Sequence, residues 1–242
     1  MTPRHGLIVL CVLAFAAAAD AQAVNATARA DATVRRAFVL GRSVDGRPIT
    51  AVETGDPDAQ RKTLVVGCIH GNEPAGIAIA KRLISTGPPA ETDLWIVTNL
   101  NPDGAAAGTR GNAHGVDLNR NFPWQWHRLS GIHYSGPRSL SERETRIVYR
   151  LIKRVRPSVS IWFHQPLGLV DDSTGNRSLE RRFARAAGLR LAPLTRESGS
   201  AVTWETHRFP HASSFVVELP AGSLAPAAVT RLTRAVHIAA RG

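Results

Sequence analysis

Three short apolar runs in this 242-residue chain each end in a residue able to bind a metal or move a proton. The run TLVVGCI (63–69) ends at His70, with Glu73 three positions on; SVSIWF (158–163) ends at His164; SSFVV (213–217) ends at Glu218. Continuous apolar runs of this length mark strands buried on both faces. In an open α/β sheet, ligands bind beyond the carboxyl ends of the strands, so these four residues are placed to converge on one cleft. Two histidines and one carboxylate, with a fourth position left to water, make a catalytic zinc set. A further carboxylate nearby would serve as general base.

The spacing His70-Gly71-Asn72-Glu73 suits a turn between strand and helix. Gly71 permits the tight turn and Pro74 suits helix entry. Alone the pair says little: composition gives an accidental H-x-x-E in about one such chain in three. His114-x-x-Asp117 is a second instance within this chain, and the strand-then-turn context favours the first. Each candidate also has a plain structural reading. His164 could be a core histidine bonded to backbone, and Glu218 a buried ion-pair partner. Asp117, Asn119 and Arg120 could simply stabilise a loop. His127, His133, His207 and His211 have no usable spacing and read as surface residues. Trp124 and Trp126 could line a cleft or cover a patch under a loop.

The elements that must position these residues alternate in type. A hairpin is expected over 37–53, turning at Asp45-Gly46. Strands follow at 63–69, 94–100, 159–163 and around 215–217. Helices are expected over 75–84, from a capping box at Ser141–Glu144 to Val155, over 179–187 and over 226–240. A polar, Gly-rich connection at 101–137 is long for a loop, which points to function. This order predicts an α/β fold: a single three-layer domain over 37–242, with a mixed, mainly parallel β-sheet flanked by helices.

Hydrophobic residues are 43% and charged residues 20%, compatible with a packed core and against wholesale disorder. Residues 1–23 read as a signal peptide: Arg4 and His5, an apolar stretch at 7–19 too short to span a bilayer, then small-x-small sites ending at Ala21 or Ala23. Residues 24–36 read as a flexible lead-in. Export is therefore expected, periplasmic or extracellular, with no stable membrane span after cleavage. Removal of Cys11 would leave Cys68 alone, without an internal disulfide. The net charge of +11 rests on 27 Arg and 3 Lys. The arginines are scattered and no nucleic-acid motif occurs, so no nucleic-acid partner is expected.

The run Arg110-Gly-Asn-Ala-His-Gly-Val-Asp-Leu-Asn-Arg-Asn-Phe-Pro123, with His70-Gly-Asn-Glu73 and Asn101-Pro-Asp-Gly104, resembles the zinc carboxypeptidase family of carboxypeptidase A, most closely its compact murein peptide amidase branch. The likeness extends through Tyr134-Ser-Gly-Pro137, Ser141-Glu142, His164-Gln165 and Phe215-Val-Val-Glu-Leu219, roughly residues 62–222. It implies one zinc ion per chain held by His70, Glu73 and His164, with Glu218 taking a proton from water. It implies that Arg110 stabilises the oxyanion, that Asn119 and Arg120 bind the substrate's terminal carboxylate, and that Asp117 orients His70. The implied substrate is a peptide or murein peptide, cut between γ-D-glutamate and diaminopimelate. The alternatives are a general metallocarboxypeptidase, an acyl-amino-acid deacylase or, outside enzymes, a wall-binding module. One feature departs from the family pattern: a substrate-contacting tyrosine belongs between the third ligand and the final Glu. Both tyrosines, Tyr134 and Tyr149, precede His164. Trp204, Glu205 or His207 would have to serve there.

Overall fold

The computed structural model describes residues 34–195 and 197–242. The expected signal peptide, and the lead-in up to residue 33, lie outside them. One eight-stranded sheet runs in the order β1-β2-β4-β3-β5-β8-β6-β7. Its strands are β1 (Val34–Arg42), β2 (Pro48–Gly55), β3 (Arg61–Val66), β4 (Thr92–Val97), β5 (Val159–His164), β6 (Leu167–Asp171), β7 (Arg190–Ala192) and β8 (Ser213–Pro220). The pairs β4-β3, β3-β5, β5-β8 and β6-β7 are parallel; β1-β2, β2-β4 and β8-β6 are antiparallel. The sheet is mixed with a parallel centre, as the alternation of elements predicts. Val34, Arg35 and Arg36 pair with β2, so the lead-in gives way to strand three residues earlier than expected.

Strand alternation assigns each central residue to one of two helical layers. Val65, Ile161, Phe163, Phe215 and Val217 pack with α1 (Gly76–Thr86), α4 (Arg177–Ala187) and α6 (Pro226–Arg241). Leu64, Val66, Trp162 and Val216 face the other way, toward α3 (Arg143–Val155) and α5 (Ala201–Arg208). Both faces are apolar because both are covered, which is why β3, β4 and β5 read as mainly hydrophobic runs rather than as a polar–apolar alternation.

Several elements were not legible in the sequence. β6 and β7 are short and completed only by neighbours; α5 is an eight-residue helix behind the Ser200 N-cap. The connection at 101–137 also carries a helix, α2 (Pro102–Ala107), and two 3-10 turns, at Leu118–Arg120 and Gly131–His133. The capping box does not form. Glu142 is the N-cap of α3 and makes no side-chain cap, while the Glu144 carboxylate accepts from Val44 N and Asn112 Nδ2 instead. That carboxylate is fully buried, and satisfying it with tertiary donors outweighs a local cap.

Candidate active site

His164 is the last residue of β5, and its register partner is Glu218 on the parallel neighbour β8. His70 and Glu73 lie on the turn after β3, the next strand over. That turn presses against α2 so closely that a Cβ on Gly71 would collide with the backbone of Gly104 and Ala105. Asn101 caps α2 by accepting from Gly104 N, and its Nδ2 donates to the carbonyls of Arg110 and Gly111 at 3.2 and 3.1 Å. The Asn101-Pro-Asp-Gly string thus anchors both the His70 turn and the Arg110 loop.

Three buried side chains meet at one point. His70 Nδ1 lies 3.0 Å from Glu73 Oε2, His164 Nδ1 lies 3.0 Å from the same oxygen, and the two ring nitrogens are 3.1 Å apart. His70 Nε2 faces Asp117 Oδ1 at 3.0 Å. A carboxylate only accepts, so His70 carries its proton on Nε2 and presents a bare lone pair at Nδ1. The cluster therefore holds at least two lone pairs facing each other across 3.0 Å, with only the His164 proton available between them. The in-plane point equidistant from the three atoms is about 1.8 Å from each, so a position displaced from that plane by about 1 Å reaches the ~2.0–2.2 Å bonds zinc makes to nitrogen and oxygen. The donor set fits a cation. Among the described residues this is the one group of three or more His, Cys, Asp or Glu able to hold an ion.

The charge states follow from these contacts. Burial resists ionising Glu73, yet the His164 hydrogen bond and the adjoining His70 ring hold its carboxyl well below the usual range. Burial likewise opposes charging Asp117, and the His70 bond with the Arg110 and Arg120 charges outweighs it. His70 is raised because Asp117 and Glu73 overcome its burial; His164 is lowered, burial being its largest influence. Glu218 behaves oppositely to Glu73. Burial, with the Glu73 charge beside it, pushes its carboxyl up to about 7, and its one backbone donor, Leu167 N, is distant at 3.5 Å. A carboxyl poised there suits proton transfer near neutral pH.

Cationic groups line the same cleft, about 310 Å³ in volume. Arg110 donates through Nε to Asp117 at 2.8 Å and through Nη1 to Glu73 at 3.0 Å. Arg120 is buried; its Nη1 bonds the Asn119 carbonyl, its Nη2 lies 3.4 Å from Glu197, and its Nε has no partner. Asn119 Oδ1 accepts from Ala201 N at 2.9 Å, which leaves the amide nitrogen to donate. A fork of guanidinium and amide donors in a buried pocket suits a carboxylate.

The structure thus gathers His70, Glu73, Arg110, Asn119, Arg120, His164 and Glu218 around one cleft, with Asp117 behind His70. Trp204, Glu205 and His207 do not line it. Trp204 packs among Phe122, Tyr149 and Phe209, Glu205 is buried beneath the sheet, and His207 stacks on Trp124. Trp126 donates to Ser135 O, and neither it nor Trp124 reaches the cleft. His133, read as a surface residue, lies 3.4 Å from Asp117. Gln165 was legible only as part of a motif: its Oε1 accepts from Ala75 N and its Nε2 donates to the carbonyls of Pro220 and Gly222. It ties the start of α1 to the end of β8.

Metallohydrolases place a His–Glu–His set beside a poised carboxylate in this way. The sequence profile of the zinc carboxypeptidase family matches residues 21–169, more than half of the chain, and the chain belongs to that family. Among curated relatives, murein peptide amidase A of Escherichia coli (strain K12) is 32% identical over 147 residues, 54% of this chain and 60% of that protein. Murein peptide amidase A of Vibrio campbellii is 31% identical over 159 residues, 58% and 64% of the two chains. The chain therefore spans somewhat under two thirds of the curated relatives it matches. The crystal structure of murein-tripeptide amidase MpaA from Escherichia coli O157 superposes with a TM-score of 0.70 at 27% identity, covering 85% of this chain and 92% of that one.

Proposed function

We propose that this protein is an exported, zinc-dependent amidase that hydrolyses an amide bond next to a free C-terminal carboxylate, with γ-D-glutamyl-diaminopimelate in murein peptides as substrate. The observation that carries the reading is the pairing of three buried lone-pair donors with a carboxylate-binding fork in one cleft. The likeness to murein peptide amidase A supports the choice of substrate. Export rests on the signal-like residues 1–23 alone.

His70, Glu73 and His164 would hold the zinc, which would polarise the scissile carbonyl and lower the pKa of water. Arg120 and the Asn119 amide would grip the terminal carboxylate and set the scissile bond before Glu218. Glu218 would take the proton of the attacking water and return it to the leaving amine. The Arg110 guanidinium, pinned by Asp117 and Glu73, would receive the negative charge that grows on the carbonyl oxygen.

The test is incubation of protein of known zinc content with L-Ala-γ-D-Glu-diaminopimelate, blocked dipeptides and N-acyl amino acids, products being read by mass spectrometry. Free diaminopimelate is expected, abolished by a chelator and by Glu218→Gln, the variant retaining its zinc. Cleavage of the dipeptides alone would make the protein a general metallocarboxypeptidase, and of the N-acyl amino acids alone, a deacylase. No turnover of any, with zinc bound, would sink the hydrolase reading in favour of wall binding.

A further inference from the structure

Glu205 is a buried carboxyl that the chemistry above does not use. It sits on α5 and is 1% exposed. Its Oε2 accepts from Ser160 Oγ at 2.6 Å; its Oε1 accepts from Trp162 Nε1 at 2.8 Å and Ser214 Oγ at 3.2 Å. Among the described residues it has no ion-pair partner. An apolar side chain would fill the same space without the desolvation cost of a carboxyl, so the position suits a task beyond filling the core.

Its three donors stand directly beneath the site. Side chains alternate along a strand, so Ser160, Trp162 and His164 share one face of β5, and Ser214, Val216 and Glu218 share that face of β8. The register sets Ser160 beside Ser214, Trp162 beside Val216 and His164 beside Glu218. Glu205 therefore clamps both strands two to four residues before their chemical ends. The other end of α5 reaches the substrate side: Ala201 N donates to Asn119 Oδ1, and Val202 and Thr203 line the cleft.

We propose that Glu205 is a positioning residue: it locks α5 to β5 and β8, and through the Ala201–Asn119 bond sets the carboxylate-binding amide in register with His164 and Glu218. The role assigned to Asn119 rests on the reading given under the proposed function. A one-turn shift is not needed, because even a sub-ångström displacement of a positioning group is felt at the contact it sets.

The test compares Glu205→Leu and Glu205→Gln with the unaltered protein, zinc content and thermal midpoint being recorded for each. Gln keeps an oxygen for Trp162 and Ser214 and can donate to Ser160 Oγ; Leu accepts nothing. For a free-carboxylate substrate, Leu is expected to raise KM about tenfold with kcat within twofold, and Gln to restore KM to within threefold. Adding Asn119→Ala should erase most of the Leu effect, since both act on one contact. Hydrogen exchange over residues 200–208 should quicken in the Leu variant at unchanged zinc content. A fall in kcat alone, with KM unchanged and exchange unaltered, would overturn the proposal, as would additive effects of Leu and Asn119→Ala. If the unaltered protein cleaves amide-capped and free-carboxylate substrates equally, the Asn119 reading falls. The exchange result then decides whether Glu205 holds α5 at all. Protection unchanged in the Leu variant refutes the clamp on its own.

Discussion

Asp117→Asn is the sharpest perturbation of the site, because every side-chain bond of Asp117 is an acceptor bond. Its Oδ1 takes His70 Nε2 at 3.0 Å and Asn119 N at 2.9 Å; its Oδ2 takes Arg110 Nε at 2.8 Å and faces His133 Nδ1 at 3.4 Å. A carboxamide has one oxygen and one NH2, so it can satisfy only one of these pairs. Turning NH2 toward His70 would drive that ring's proton onto Nδ1, into the three-atom cluster. Turning NH2 toward Arg110 sets N–H against N–H but keeps the His70 tautomer, and is the cheaper choice. His70 then loses its ionic partner, and Arg110 keeps only Glu73. Replacing a partner that orients a liganding histidine costs 10–100-fold in metal affinity, which is about 1.4–2.7 kcal/mol. The expectation is a zinc Kd weakened by that factor in competition with a chromogenic chelator, and a matching fall in kcat/KM at saturating zinc as Arg110 loosens. Zinc affinity within twofold of the unaltered protein would refute the argument that Asp117 fixes the His70 tautomer.

Other consequences can be measured separately. Arg120→Ala removes a buried guanidinium whose Nε lacks a partner, and should raise KM for free-carboxylate substrates by about 10–100-fold, a charged hydrogen bond being worth ~1.5–3 kcal/mol; amide-capped substrates should be nearly indifferent, and equal losses on both would count against a carboxylate fork. Glu180 is fully buried and neither oxygen has a partner; burial, with Asp171 and Asp172 nearby, pushes it up to about 8. The folded state therefore holds its proton more tightly than the unfolded chain, and stability should fall as pH rises from about 4.5 and level off above about 8, the loss at pH 7 being about 3 kcal/mol. Glu180→Gln should flatten denaturant midpoints across that window; parallel curves for the two proteins would show that Glu180 is not the source. Stripping the metal should lower the thermal midpoint, since zinc at a thousandfold excess over its Kd contributes about 4 kcal/mol, or roughly 8–16 °C for a domain of this size. An unchanged midpoint on chelation would mean that His70, Glu73 and His164 do not hold an ion in the folded chain.

The sequence by itself determined the sheet's central strands and the ends from which chemistry projects. TLVVG, VSIWF and SSFVV are mainly apolar because helices cover both faces, and that burial pattern is written locally. Strand ends in a parallel sheet point the same way, so the sequence alone groups His70, His164 and Glu218. The motif at 110–123 also named its residues, although what Asn101 and Asn112 do there, bonding carbonyls and carboxylates across the loop, is a tertiary matter. Only the folded structure decided the rest. β6 exists because β8 supplies an antiparallel edge, and β7 because β6 supplies a parallel one, not because five or three residues prefer to be extended. The Ser141–Glu144 cap fails because Asn112 and Val44, distant in sequence, claim the Glu144 carboxylate. His133 reaches Asp117, and Glu205 reaches Ser160, Trp162 and Ser214, through contacts set by how α5 and the long loop pack. Periodicity reports which face of an element is buried. Which polar group meets which across that face is settled by long-range packing and by the cost of leaving any buried donor or acceptor unpaired.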